Sequence, residues 1–228
     1  MTEKRPERPA GPRLGLLIWD FNGTMLDDLA VAYGSVEYVF RLYDRPVPSK
    51  DRFRSLISSR FMEFYHGQGV PTWATAEHLN VIRQDYYLSR MPQLHFRPGL
   101  AELLKWSRSV GLKNAVCSAE ITVILDTLVD RADLRRYFEP DAVRAEAWNG
   151  KSLELSKICE QLNVPRDRAA YLDDTVDGIA AAMDAEVHSI GFAHPTSWNT
   201  ALRIEAARPL HIVHDFRELH TLLEVLTR

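Results

Sequence analysis

The sequence sets carboxylate, hydroxyl and ammonium side chains directly after short apolar runs. Asp20-Phe21-Asn22-Gly23-Thr24 follows the apolar run 14–19, with Asp27 and Asp28 close behind. Ser118 follows the run 113–117, Lys151 follows Asn149-Gly150, and the pair Asp173-Asp174 follows the run 169–172. A carboxylate can attack phosphorus and form an aspartyl-phosphate. Hydroxyl, ammonium and backbone N–H groups can hold the oxygens of a moving phosphoryl group. Two or three carboxylates with a main-chain carbonyl suit Mg2+, which prefers hard oxygen ligands. Such an ion also offsets the repulsion between an anionic nucleophile and an anionic phosphate.

The elements that must position these residues can be read from periodicity. A short apolar run bounded by turn chemistry predicts a buried strand, here over 14–19, with Asp20 at its carboxyl end. Residues 29–95 read as helices. Ala32, Val36, Val39, Phe40 and Tyr43 follow helical spacing until Pro46 and Pro48,. A second helix is expected over 51–65, ended by Gly67 and Gly69, and a third over 74–89. From Pro98 onward the pattern alternates. Strands are expected at 113–117, 169–172, 187–190 and 211–213. Helices are expected around Leu100–Leu104, Ile121–Leu128, Leu155–Leu162, 176–184 and Phe216–Leu226. Alternation of this kind implies βαβ units on a parallel sheet. The expected fold is α/β, a three-layer Rossmann-like parallel sheet with an inserted α-helical cap. Residues 14–28 and 96–228 would form the core, 29–95 the cap, and 1–13 a disordered tail. Ligands of such sheets sit at the carboxyl ends of the strands, where all four clusters fall.

The bulk composition is that of a soluble globular chain. Of 228 residues, 46% are hydrophobic and 26% charged,. With 28 basic and 31 acidic residues the net charge is -3, which gives no footprint for nucleic acid or an anionic membrane. No apolar run approaches the roughly 18 residues of a bilayer span. Cys117 and Cys159 lie in apolar stretches and read as buried free thiols, which fits a reducing, cytoplasmic setting.

In this order and setting the four clusters resemble the motifs of haloacid dehalogenase-like hydrolases with a helical cap, over about residues 14–226. The first motif of that superfamily reads Asp-x-Asp-Gly-Thr, matched by Asp20-Phe21-Asn22-Gly23-Thr24. Its Ser or Thr is matched by Ser118, its Lys by Lys151 and its acidic motif by Asp173-Asp174. The stretch from Leu172 to Ile179 is similar to the acidic motif of β-phosphoglucomutase-like members. The resemblance implies Asp20 as nucleophile and Asp20, the Asn22 carbonyl, Asp173 and Asp174 around Mg2+. It implies Thr24, Ser118, Ala119 and Lys151 around the phosphate of a small phosphorylated metabolite.

One residue departs from the pattern. The second motif-one Asp, the proton donor of family phosphatases, is Asn22 here. An amide cannot transfer that proton, although its main-chain carbonyl can still bind the metal. Asp27, Asp28, Glu63, His66 and His95 are the candidates to replace it. A phosphatase is the leading expectation. A phosphomutase and a non-catalytic phospholigand-binding protein are the alternatives. Taken alone, Ser118 reads as a helix N-cap. Trp73, Trp106, Trp148 and Trp198 read as core or cap-interface residues. Phe53, Phe61, Phe64, Tyr65, Tyr86 and Tyr87 read as the core of the cap.

Overall fold

The structure, a computed structural model, describes residues 13–58, 60–147 and 150–228. Residues 1–12, which make up most of the expected tail, and Trp148 and Asn149 lie outside that range. Among the described residues, six strands form one parallel sheet: β1 (Leu16–Trp19), β2 (Lys113–Cys117), β3 (Val143–Arg144), β4 (Ala169–Asp173), β5 (His188–Phe192) and β6 (His211–Val213). Their order across the sheet is β3-β2-β1-β4-β5-β6. This is the doubly wound order, whose switch point lies beside β1.

The strand sequences explain why the sheet is covered on both faces. Along β1, Leu17 and Trp19 enter one apolar cluster and Leu16 and Ile18 enter another. Period-two alternation thus feeds two cores from an uninterrupted apolar run. The first core packs α5 (Leu100–Ser109), α6 (Thr122–Arg131) and α10 (Phe216–Leu226) against Val116, Leu172 and Ile190. The second packs α7 (Lys151–Gln161) and α8 (Val176–Asp184) against Ala115, Cys117 and Tyr171. α9 (Ala201–Ala206) lies beside β5.

α10 begins at Asp215, whose Oδ1 accepts the N–H groups of Arg217 at 2.8 Å and Glu218 at 2.9 Å. Those N–H groups, the Glu218 one foremost, hold the Asp215 carboxyl below its ordinary pKa. A lowered folded pKa stabilises the fold above the unfolded value, and that stability is lost as pH falls. Asp215→Ala should therefore cost about 1 kcal/mol at pH 7. In paired urea melts the difference should shrink in acid.

Between β1 and α5 the chain forms α1 (Leu29–Leu42), α2 (Lys50–Leu56), α3 (Phe61–Gly67) and α4 (Ala76–Arg90). Their buried side chains form a cluster of their own around Val39, Phe40, Phe53, Phe64, Tyr65 and Leu79. The single helix expected over 51–65 is instead α2 and α3, because Ile57 is extended with ψ 136°. Two elements were not expected at all. β3 has only two residues and α9 only six, too short for a periodic signal. The chain enters and leaves the helical block side by side. Leu26 pairs antiparallel with Phe96, Asp27 N donates to His95 O, and Arg97 N donates to Met25 O.

Candidate active site

Parallel register sets the geometry. Trp19 lies level with Val116 on one side and Leu172 on the other. One residue further along, the strand ends place Asp20 beside Cys117 and Asp173. The Asp20 N–H donates to Leu172 O at 2.9 Å, fixing the start of the loop. Asp20, Asp173 and Asp174 are all buried, and one oxygen of each lies within 4.8 Å of the others.

Lys151 opens α7 and reaches into this group. Its Nζ donates to Asp20 Oδ1 at 2.8 Å and to Asp173 Oδ2 at 2.6 Å. Burial opposes the ammonium charge, but Asp173 and Asp20 outweigh it and hold Lys151 above its ordinary pKa. Lys151 therefore remains charged. The Tyr171 hydroxyl donates to Cys117 O at 2.9 Å and lies 3.3 Å from Asp20 Oδ1. Asp173 Oδ1 accepts from the N–H and Oγ1 of Thr175, both at 2.7 Å. Asp174 accepts from Thr24 Oγ1 at 3.3 Å and from the Trp198 N–H.

One lysine does not balance three carboxylates. Burial first, and then the charge of Asp173, push Asp20 up to about 7. Burial, then Asp173 and Asp20, push Asp174 well above the usual range. Three hard, buried oxygen donors with uncompensated negative charge suit a divalent cation. Cys117, level with Asp20, is no competing nucleophile, because burial pushes its thiol up to about 12.

Two glycines permit this crowding. Gly23 has φ +72°, and a Cβ there would stand 2.1 Å from Asp174 Oδ2. A Cβ on Gly178 would stand 1.8 Å from Asp173 Oδ2. No side chain fits at either place without displacing an acidic group.

A cavity of about 370 Å³ opens above the strand ends. Asp20, Asn22, Ser118, Ala119 and Lys151 are among the residues that line it. Thr24 is buried and turns its hydroxyl to Asp174, outside that lining. Asp173 and Asp174 are buried and outside that lining. Ser118 does not cap a helix. Its Oγ accepts the Glu120 N–H at 3.0 Å, and α6 starts later, with Ile121 at the N-cap.

The Asn22 amide bridges two carboxylates. Its Nδ2 donates to Asp28 Oδ2 at 2.8 Å and to Glu120 Oε2 at 2.9 Å. Asp28 also accepts from the Gly23 N–H, Trp198 Nε1 and the Tyr87 hydroxyl. Burial raises the pKa of Asp28, but these donors oppose it and occupy both oxygens. Glu120 is likewise raised by burial, against the pull of Arg83. Its Oε1 accepts the Ile121 N–H, and the residue lines the cavity.

Of the other residues considered as replacements for a motif-one acid, Asp27 pairs with Arg97 at 3.5 Å, and Glu63 and His95 are exposed. His66 Nε2 bonds to Ala74 O at 3.1 Å. Among these, only Asp28 touches Asn22. Glu120 escaped notice because nothing in Ser118-Ala119-Glu120 marks the third residue as facing a loop 98 positions away.

Trp106 and Trp198 pack against the buried clusters as expected, but Trp73 does not, and Tyr86 and Tyr87 join the core of the sheet rather than that of the cap. Trp73 is 67% exposed. Its ring packs edge-to-face with Tyr43, 5.5 Å between centroids, at the margin of the helical block. Trp198 does more than fill space, because it holds Asp28 and Asp174 and lines the cavity. Phe53, Phe61 and Tyr65 belong to the helical cluster and also line the cavity. Hydrogen bonds close this side. Arg54 donates to Ser197 O and Asn199 O, and Asn199 Nδ2 donates back to Arg54 O and Ile57 O.

Comparison with known proteins agrees with this architecture. A protein described as phosphoglycolate phosphatase from Pseudomonas savastanoi pv. phaseolicola is 24% identical, over 92% of this chain and 80% of its own. A second of that description from Pseudomonas syringae pv. syringae is 22% identical over the same shares. A crystal structure described as a predicted phosphatase from Clostridium acetobutylicum superposes with a TM-score of 0.78 at 21% identity. It covers 93% of this chain and 99% of its own. A HAD family hydrolase from Deinococcus radiodurans, solved with bound phosphate and sodium, gives 0.71 at 17% identity, covering 93% and 96%. A family model described as haloacid dehalogenase-like hydrolase matches residues 17–192. The chain belongs to the haloacid dehalogenase-like hydrolase family.

Proposed function

We propose that the chain is a magnesium-dependent phosphatase of small phosphorylated metabolites that works through an aspartyl-phosphate on Asp20. The observation that carries this reading is Asp20 held at 2.8 Å from a charged Lys151, at the floor of a cavity and beside two further buried acids. Phosphatase names among the relatives add support. Ser118, Ala119 and Lys151 would receive the phosphate oxygens, and Thr24 would hold Asp174 in place. Asp20, Asp174, the Asn22 carbonyl and Asp173 would hold Mg2+. When bound, that ion supplies charge neutralisation for nucleophile and phosphate together. Residues 29–95 would act as the cap, with 14–28 and 96–228 as the core, and the buried thiols fit a cytoplasmic setting.

The remaining need is a proton for the leaving oxygen. Asn22 cannot supply it. Glu120 is the carboxylate on the cavity wall beside Asn22, and we assign it that role on position. Glu120→Gln should slow hydrolysis of alkyl phosphates by ~10²–10⁴-fold. It should slow p-nitrophenyl phosphate far less, since that leaving group departs without a proton. Equal slowing of both esters would remove Glu120 from the reaction.

The overall reading is tested by phosphate release from a panel of small esters, phosphoglycolate included, with and without Mg2+. Release that needs the ion supports it. Tight binding of ion and phosphate with no turnover of any ester supports a binding protein instead.

A further inference from the structure

The part of the cavity lining drawn from the helical block is chemically uneven. Ala32, Val36, Phe53, Ile57, Phe61 and Tyr65 make an apolar wall, and one guanidinium, Arg83 of α4, stands in it. Arg83 lies over the Tyr87 ring at 5.4 Å. No carboxylate lies within 4.0 Å of it among the described residues. Burial opposes its charge, but Glu120, the largest charge that favours it, and Tyr87 outweigh burial and hold Arg83 above its ordinary pKa. An arginine in an apolar ligand wall is costly unless it meets an anion. Lys151, which also lines the cavity, is already engaged by Asp20 and Asp173.

We propose that Arg83 is the specificity-determining residue of the cavity, and that it selects phosphate monoesters whose organic part carries a carboxylate. This rests on the phosphatase reading for the placement of the phosphate at Lys151. The guanidinium fork matches the two oxygens of a carboxylate. A second phosphate fits less well. Asp177 and Asp184 also line the cavity, and one cation neutralises a monoanion better than a dianion. The wall also carries Ser35, whose hydroxyl is spent on Ala32 O, and Ser58, but it is mainly apolar and offers little to the hydroxyl groups of a sugar. It suits a short carbon chain between the two anionic ends.

The test compares phosphoglycolate with ethyl phosphate, in which a methyl group replaces the carboxylate, and with ethylene glycol bisphosphate. Each is measured for turnover and, by calorimetry with Mg2+ present, for binding. The parent should bind phosphoglycolate at least about 10-fold more tightly than ethyl phosphate. Arg83→Met should weaken phosphoglycolate by about 10- to 100-fold and leave ethyl phosphate within about threefold. Arg83→Lys, which keeps the charge without the fork, should fall between. Three results would overturn the proposal: no preference in the parent, equal weakening of both esters in Arg83→Met, or a parent preference for the bisphosphate. Should Arg83→Met fail to fold, the parent's preference and Arg83→Lys still decide. Selective binding with no turnover of any ester defeats the phosphatase reading and leaves Arg83 in place. Turnover without selectivity does the reverse.

Discussion

Asp20→Asn should lower phosphate release by at least ~10⁴-fold, the scale of losing an enzyme's nucleophile, while the fold survives. The surrounding groups are not disassembled by the change. Lys151 keeps its 2.6 Å bond to Asp173, and Asp174 keeps Thr24 and Trp198. The variant should also titrate differently. In the metal-free parent, Asp20 has a folded pKa of about 7 against an ordinary 3.8. A raised folded pKa means that the fold holds a proton which the unfolded chain has released. The stability it contributes is complete below 3.8 and is lost as pH climbs towards about 7,. Asp20→Asn removes that slope, so metal-free denaturant melts should show the variant gaining on the parent between pH 4 and 8. Addition of Mg2+ should reverse the ranking. A ligand at 100 times its Kd stabilises the fold by about 2.7 kcal/mol, and the variant, lacking one of three carboxylates, should gain less.

Asn22→Asp should not create a better enzyme, although it restores the superfamily's usual residue. The amide donates to Asp28 at 2.8 Å and to Glu120 at 2.9 Å. A carboxylate at this position would lose both bonds and face two buried acids. Bonds to charged groups are worth about 1.5–3 kcal/mol each. Asn22 is half-buried, so we expect a net cost of about 2–4 kcal/mol at pH 8. Protonation relieves it. The new carboxyl would have a raised folded pKa, so its penalty is absent well below the unfolded value and grows as pH rises through the folded one. Urea melts at pH 5 and 8 should show the larger deficit at pH 8. Equal stability at both pH values, with faster turnover, would mean that Asn22 is only a damaged acid rather than a part fitted to Asp28 and Glu120.

These two residues mark how far the sequence alone could lead. Asp20, Ser118 and Asp173-Asp174 were legible because each follows an apolar run that can only be a covered strand, and parallel strands bring their ends together. The helical block was legible from the spacing of Ala32, Val36, Val39 and Phe40. The break between α2 and α3 was not, because Ile57 is as apolar as its helical neighbours and leaves the helix through backbone conformation. β3 was invisible, since Val143 and Arg144 carry no alternation. Glu120, Arg83 and Trp198 were missed for a different reason. Each reaches the site from a loop or a helix face, and local spacing does not encode which side chain a distant loop will meet. The bland reading of Phe53, Phe61 and Tyr65 as cap core was incomplete because one aromatic surface serves the helical cluster and the cavity together.

The central claim is covalent chemistry at Asp20, and a chemical trap addresses it directly. The protein is mixed with phosphoglycolate and Mg2+, quenched in acid during turnover, and reduced with borohydride, which converts an aspartyl-phosphate to homoserine. Peptide mass spectrometry should find homoserine at position 20 in the parent and none in Asp20→Asn. Steady phosphate release from the parent with an unmodified Asp20 peptide, or with the adduct on another residue, would contradict the claim.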